Sequence, residues 1–431
     1  MISRKGTLQF LAVIFFSILF SVAAFGRPIF TYTSQPNIRV SLRGNLKTLS
    51  LHVYGAFKLK YQDIPINEIE NTGVTFVFSD EGTPEAHLPN QELKFFSPIT
   101  IEPSSEANAG SDTASSGPGI RFSSETYPGT MEIIPESDGT FRLLNIVPLE
   151  TYLRGVVPNE LVNHMTQNEL QACMAQAIAA RNFAFYRLTT RDSSQFDVYS
   201  DTRDQVYSGE ERYQPLADSA VELTSGMIVE YDGQPARCFF HSTCGGHTED
   251  VRNVWQGQPS LAYLRGVSDT DSVTGQPFCI DSPQFSWTAT FTGRELTRLV
   301  KANLSFASPV YAGRRVTGEV SDLKVLDRFN SSRVDTLAIT MDNGDVYYVR
   351  GDRTRYLFRD KNGTILRSSM FSIKTDRNFG GNVDKVTING RGNGHGVGMC
   401  QWGALGMSKL GYTYLQILSH YYPGTVVKRV Y

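Results

Sequence analysis

Val147-Pro-Leu-Glu-Thr-Tyr-Leu-Arg-Gly-Val-Val-Pro-Asn-Glu-Leu161, running on to Gln176-Ala-Ile-Ala-Ala-Arg181, is the stretch that decides how this chain is read. Its first part reads as a short apolar strand whose outgoing turn carries Glu160. Thr166-Gln-Asn-Glu169 is a capping box that opens a helix. Leu170, Met174, Ala177, Ile178, Phe185 and Leu188 fall on one face of that helix at helical spacing, and Arg181 lies in the middle of the stripe. A guanidinium on an apolar face stays charged and is expensive to desolvate, so it needs a carboxylate or a bound anion. Glu160 and Glu150 are the carboxylates nearest in sequence. Two arrangements satisfy this requirement: a buried ion pair that orients the helix, or a carboxyl held at the mouth of a groove.

Outward toward the N-terminus, Thr130–Ile134 and Thr140–Leu144 flank Ser137-Asp138-Gly139 as a hairpin. Ser104 to Gly119 is rich in Ser, Gly, Ala and Asn and lacks large apolar residues, which marks a linker or long surface loop and a domain boundary. Before it lies a β-rich region, 27–103, that alternates in strand fashion from Ile38 to Ile101, as in Leu49-Ser-Leu-His-Val53 and Val74-Thr-Phe-Val-Phe78. Residues 1–26 read as an export signal: Arg4 and Lys5, an apolar run from Leu8 to Val22, then Ala24-Phe25-Gly26. That run is short for a membrane span. Toward the C-terminus, strands alternate with a helix from Gly293, a turn at Asn343-Gly344, and two closing helices near Gln401–Leu410 and Tyr414–Tyr421. The expected class is α+β: a β-rich core over 120–431 with a few short helices, preceded by a small β-rich region.

Composition excludes some functions. The formal net charge is −2 with 41 Lys and Arg against 43 Asp and Glu, and no basic cluster supports nucleic-acid binding. The five cysteines are too few for a disulfide-dense scaffold. Cys238-Phe-Phe-His241-Ser-Thr-Cys244-Gly-Gly-His247 has the short spacings of a metal site, and with Cys279 it offers His241, Cys244, His247 and Cys279 as zinc ligands. In an oxidising compartment a Cys244–Cys279 disulfide competes with that reading. A third run, Gly390-Arg-Gly-Asn-Gly-His395-Gly-Val-Gly-Met-Cys400-Gln401-Trp402, fits neither the dinucleotide fingerprint nor the phosphate loop. Its glycines either leave a bare floor for a bulky polymer, with His395 and Gln401 at its sides, or permit tight packing at a strand-to-helix turn.

These motifs in this order resemble the SpoIID/LytB family of exported bacterial peptidoglycan proteins. The resemblance covers roughly residues 120–431 and rests on Val147–Glu160, Ala175–Arg181, His241-Ser-Thr-Cys-Gly-Gly, Leu366-Arg-Ser-Ser-Met-Phe371 and Gly390–Ala404. It implies a lytic transglycosylase that cuts MurNAc–GlcNAc bonds in glycan strands lacking stem peptides, in wall remodelling or division. The family's catalytic glutamate falls on Glu160 and its arginine on Arg181. The resemblance equally admits a glycan-binding protein or amidase enhancer that does not cut, with an N-acetylmuramoyl-L-alanine amidase as partner. It places the chain in the periplasm or on the wall side of the membrane, and it implies no required cofactor. Three departures stand out: Met174 where the family often has lysine, Asn182-Phe183 where it commonly has Thr-Tyr, and a longer stretch after Glu160.

The chemistry needs one carboxyl. It protonates the leaving oxygen, and the muramic C6 hydroxyl then attacks in place of water. Such an acid should sit in a partly desolvated groove. Arg181 against it would work the other way, so Arg181 is expected on substrate or on Glu150. His241, His395 and Gln401 are the expected groove contacts.

Overall fold

The computed structural model describes residues 34–104, 118–161, 166–190, 195–212, 214–379, 381 and 383–431. The expected export signal and most of the 104–119 segment lie outside them. Strand accounts for 38% of the chain and helix for 25%, which makes it a β-rich α+β fold.

Thirteen strands build the first part: β1 (Asn37–Leu46), β2 (Thr48–Tyr54), β3 (Ala56–Tyr61), β4 (Ile64–Glu70), β5 (Gly73–Phe78), β6 (Pro84–Leu88), β7 (Gln91–Lys94), β8 (Ile99–Pro103), β9 (Gly119–Phe122), β10 (Glu125–Tyr127), β11 (Thr130–Pro135), β12 (Phe141–Pro148) and β13 (Val198–Tyr199). They form a seven-stranded sheet in the order β13-β1-β12-β11-β8-β3-β4 and a six-stranded sheet in the order β10-β9-β2-β5-β6-β7. Both sheets therefore mix strands from either side of the 104–119 segment. The expected domain boundary there is corrected: β1 pairs antiparallel with β12 from Asn37↔Pro148 onward, and β2 pairs with β9. The cause is alternation. Leu49, Leu51 and Val53 on β2, Phe57 and Leu59 on β3, and Met131 and Ile133 on β11 all point inward and share one core. The β-rich N-terminal region cannot bury its apolar face without the strands that follow the segment.

Strand β12 runs directly into helix α1 (Leu149–Glu160). The turn expected there is thus a helix, and Glu160 is its last residue. Pro158 sits in its last turn and supplies no N–H to the Arg154 carbonyl. Helix α2 (Leu170–Thr190) follows the capping box, in which the Thr166 amide donates to Glu169 at 2.7 Å.

Helix α2 was expected to bury one stripe. Instead it is enclosed on two sides. Cys173, Ala177, Ala180, Ala184 and Phe185 belong to the first core. Ala172, Ala175, Ile178 and Ala179 belong to a second, built with Val229, Val397, Met399, Ala404, Leu405, Ile417 and Leu418. Alanine carries too little side chain to announce a face, and a helix apolar all round is a buried helix. The first core also takes in α3 (Pro215–Leu223), while the second takes in the single-turn α4 (Val251–Val254) and the two closing helices described below.

Residues 286–391 have a third core of their own. Two three-stranded antiparallel sheets, one of Ser286–Thr292, Val383–Arg391 and Phe371–Arg377, the other of Val320–Arg328, Val334–Met341 and Val346–Arg350, enclose α5 (Gly293–Ala307) and the short α6 (Thr354–Leu357). The expected single unit over 120–431 is therefore interrupted by an inserted one. After it, α7 (Gln401–Lys409) and α8 (Tyr414–Tyr421) return to the second core.

Candidate functional site

Glu160 is positioned by what packs on α1. A side chain at Gly155 would meet the Gly209 carbonyl and the Tyr207 ring at 2.6 Å, so only glycine lets the 205–209 segment lie against the helix. Tyr152 donates to Gln205 at 3.3 Å, and Asn159 bonds the Gly155 carbonyl at 2.7 Å and Ser208 at 2.9 Å. This brings the Val206 amide to 3.4 Å from Glu160 Oε1. From the far end of the sequence, Gln401 Nε2 reaches Glu160 Oε2 at 3.4 Å. Burial pushes the Glu160 carboxyl above its ordinary range, while the Val206 amide and Gln401 oppose that shift.

Arg181 does not face this carboxyl. Its side chain is 0% exposed, and its guanidinium grips Glu150, Nε to Oε1 at 2.8 Å and Nη2 to Oε2 at 2.6 Å. Nη1 donates to the Met227 carbonyl at 3.1 Å. Glu150 also accepts from the Tyr431 hydroxyl at 2.5 Å and the Gly226 amide at 3.1 Å. The expectation that Arg181 prefers Glu150 to Glu160 agrees with this geometry. Its expected contact with substrate is corrected, since a guanidinium with no exposed surface has none to offer a ligand. Next to it, Asn182 binds the backbone of Val229 on both sides, at 2.6 Å each way, like a strand partner.

The second and third motifs come together. Phe240–His241 pairs parallel with Met399–Cys400, so His241 stands opposite Cys400, immediately before Gln401. Thr243 and Asn393 exchange backbone hydrogen bonds at 2.9 and 2.8 Å. Gly394, at φ 108°, lies where a side chain would touch His241 Cβ at 2.8 Å. The glycine run is thus the tight-packing alternative, not a bare floor for a polymer.

His241 is buried and donates from Nδ1 to the Val397 carbonyl at 3.2 Å. His395 is half-buried against Trp255, with ring centroids 4.9 Å apart, and its Nδ1 accepts from the Val397 amide at 3.1 Å. Burial lowers both, His395 to about 3, with the Arg355 charge contributing there and the His395 charge contributing at His241. Both imidazoles are therefore neutral near pH 7. Of the expected contacts, Gln401 touches Glu160 directly, while His241 lies in the layer behind Gln401.

The expected zinc set is also redrawn. Among the described residues, the ligand atoms that gather around Cys244 and Cys279 do not include those of His241 or His247. Cys244 and Cys279 do meet, with sulfurs 3.5 Å apart and no bond between them. Cys400 and Asp269 join them in the same buried cluster. Sequence reading missed both. Cys400 stood inside the glycine motif beside Gln401, whereas nothing around Asp269 marked it. A hollow of about 900 Å³ is lined by His247, Trp287, Arg328, Met370 and Arg391 among others, and its lining does not include Glu160.

Comparison with known proteins follows the same division. The family described as Stage II sporulation protein (SpoIID) matches residues 137–231, which contain both Glu160 and Arg181. A domain of unknown function, DUF8618, matches 279–398, close to the inserted unit. Stage II sporulation protein D of Bacillus subtilis is 30% identical over 317 residues, covering 69% of this chain and 80% of that protein. The chain belongs to the SpoIID family. An uncharacterized protein of Brachyspira hyodysenteriae matches this SpoIID-family chain more fully, at 29% identity over 92% of it and 94% of that relative. The amidase enhancer of Bacillus subtilis is 27% identical over 64% of the chain, which spans only 40% of that larger protein. Among the described residues of the SpoIID-family chain, no helix is long and apolar enough to cross a membrane.

Proposed function

We propose that this protein acts at the bacterial cell wall as an exported lytic transglycosylase, cleaving MurNAc–GlcNAc bonds in glycan strands stripped of stem peptides. The observation that carries this reading is the state of Glu160. It is a half-buried carboxyl at a helix end, raised by burial and held, among the described residues, by two long amide hydrogen bonds, while the nearby arginine is engaged elsewhere. A carboxyl of this kind keeps its proton to higher pH than an exposed one, which suits it to protonate a glycosidic oxygen. Once ionised, it accepts the proton of the muramic C6 hydroxyl as that oxygen closes on the anomeric carbon. Acid and base are then one residue used twice, so no second carboxylate is required. Gln401 and the Val206 amide steady the ionised form between the two steps.

The test is incubation with denuded glycan strands followed by mass spectrometry. The expected products carry 1,6-anhydromuramic ends and vanish in Glu160→Gln. Similarity to the amidase enhancer supports a second reading, in which the protein holds glycan and stimulates an amidase without cutting. Tight glycan binding by the wild type with no anhydro ends would establish that alternative and sink the first.

A further inference from the structure

We propose that Cys244, Cys279, Cys400 and Asp269 bind one zinc ion in a closed four-ligand site that pins the start of α7. The three sulfurs and one carboxylate oxygen all lie within 4.8 Å of one another, and all four residues are buried. Zinc–sulfur bonds of about 2.3 Å in a tetrahedron set sulfurs about 3.8 Å apart, and Cys244 and Cys279 stand at 3.5 Å. Asp269 Oδ2 lies 2.9 Å from the Cys244 sulfur, on the inner side of the cluster.

What surrounds the four groups suits ionised sulfur. The Cys400 sulfur accepts from the amides of Cys244 at 3.1 Å and Gly403 at 3.2 Å, and the Cys244 sulfur accepts from Gly246 at 3.2 Å. Asp269 is fixed from outside: its Oδ1 accepts from Tyr421 at 2.5 Å and faces His420 Nε2 at 3.7 Å. Partners that hold a ligand by its other atoms are the outer layer that metal sites use. Arg333 donates to the Cys244 carbonyl at 2.8 Å and adds a buried positive charge beside the cluster.

A disulfide between Cys244 and Cys279 accounts for two of the four groups. It leaves Cys400 and Asp269 packed against it without a purpose, and a buried carboxylate facing sulfur is costly without a cation. A divalent ion accounts for all four. The ligands come from three distant places: the loop after His241, the segment 269–279 that leads into the inserted unit, and the residue preceding α7. One ion there would join these segments just behind Gln401, which reaches Glu160. The site stands whether or not the protein cleaves glycan.

The test uses the full chain purified under reducing conditions, loaded with zinc and dialysed, then analysed for metal by mass spectrometry. One zinc per chain is expected. Replacing it with Co(II) should give thiolate-to-cobalt charge transfer and the visible bands of a tetrahedral ion. Cys400→Ser and Asp269→Asn should each weaken retention, whereas Cys238→Ala, a buried cysteine outside the cluster, should keep one ion. If either ligand variant fails to fold, the cobalt spectrum of the wild type still decides. A cobalt-treated wild type without charge transfer overturns the proposal, and so does a Cys244–Cys279 disulfide peptide from protein that holds no stoichiometric metal.

Discussion

Helix α1 carries a carboxylate at each end, and the two have been given opposite environments. Glu150, in the first turn, receives two charged hydrogen bonds from Arg181, one from the Tyr431 hydroxyl and one from the Gly226 amide. Glu160, in the last residue, has two amide contacts at 3.4 Å and is raised by burial. Ten residues and one helix separate a saturated carboxylate from a poised one. The difference shows what Arg181 is for. It holds the start of α1 against the middle of α2, and by satisfying Glu150 it leaves Glu160 free of a cation that would fix it in the ionised form.

The sharpest way to break the contrast is to remove the poised member. Glu160→Gln should cut glycan cleavage by about 10²–10⁴-fold, the usual worth of a general acid, with secondary structure unchanged; product release and circular dichroism measure the two sides. Next comes the saturated member. Arg181→Met should destabilise the fold by about 3–5 kcal/mol in denaturant unfolding, because it strands Glu150 in a mostly buried position. Arg181→Lys should recover only part, since an ammonium cannot match both oxygens. Adding Glu150→Gln to Arg181→Met should restore part of the loss; if the double variant is no more stable than the single, the pair is not what Arg181 serves.

The third expectation concerns pH. A carboxyl raised in the folded state favours folding fully below its unfolded value, and that advantage is lost as pH rises through the raised folded value. Glu160 therefore costs stability at neutral pH. Glu160→Gln should be more stable than wild type at pH 7, and its advantage should shrink as the solution is made acid. Cleavage should fall on the alkaline side for the same reason, as the acid loses its proton. The smallest effect is expected at Gln401, whose amide opposes the raised value. Gln401→Ala should shift the alkaline limb upward and lower kcat/KM by about 2–10-fold, the worth of one hydrogen bond. A downward shift would mean that Gln401 does not act on Glu160.

How much of this was legible in the sequence depends on the range of the rule involved. The hairpin at Gly139, the capping box at Thr166 and the demand of Arg181 for a carboxylate are local, and each could be read from a few neighbouring residues. The class, β-rich with short helices, followed from alternation in the same way. What escaped was pairing at a distance. Nothing in β1 says that its partner is β12, more than ninety residues on and beyond a polar linker, so the linker looked like a boundary. Alanines hid the second buried side of α2. Glu160 reads as a turn residue because Gly155 and Pro158 weaken any helical signal, and the packing of the Tyr207 segment against Gly155 lies too far along the chain to be seen. The cysteine cluster was half seen: Cys244 and Cys279 were paired, but Asp269 and Cys400 reach them only through the fold.

Because α2 is a wall common to two cores, neither can melt without exposing the other. The sheets of the first part and the closing helices therefore form one cooperative unit, although they come from opposite ends of the sequence. The inserted residues 286–391 keep a core of their own, but buried Arg333 ties them to the second core through the His247 and Cys244 carbonyls. Opening the insert therefore breaks these buried bonds at the Cys244 loop, which ties the thermal endurance of the insert to that of the cluster behind Gln401.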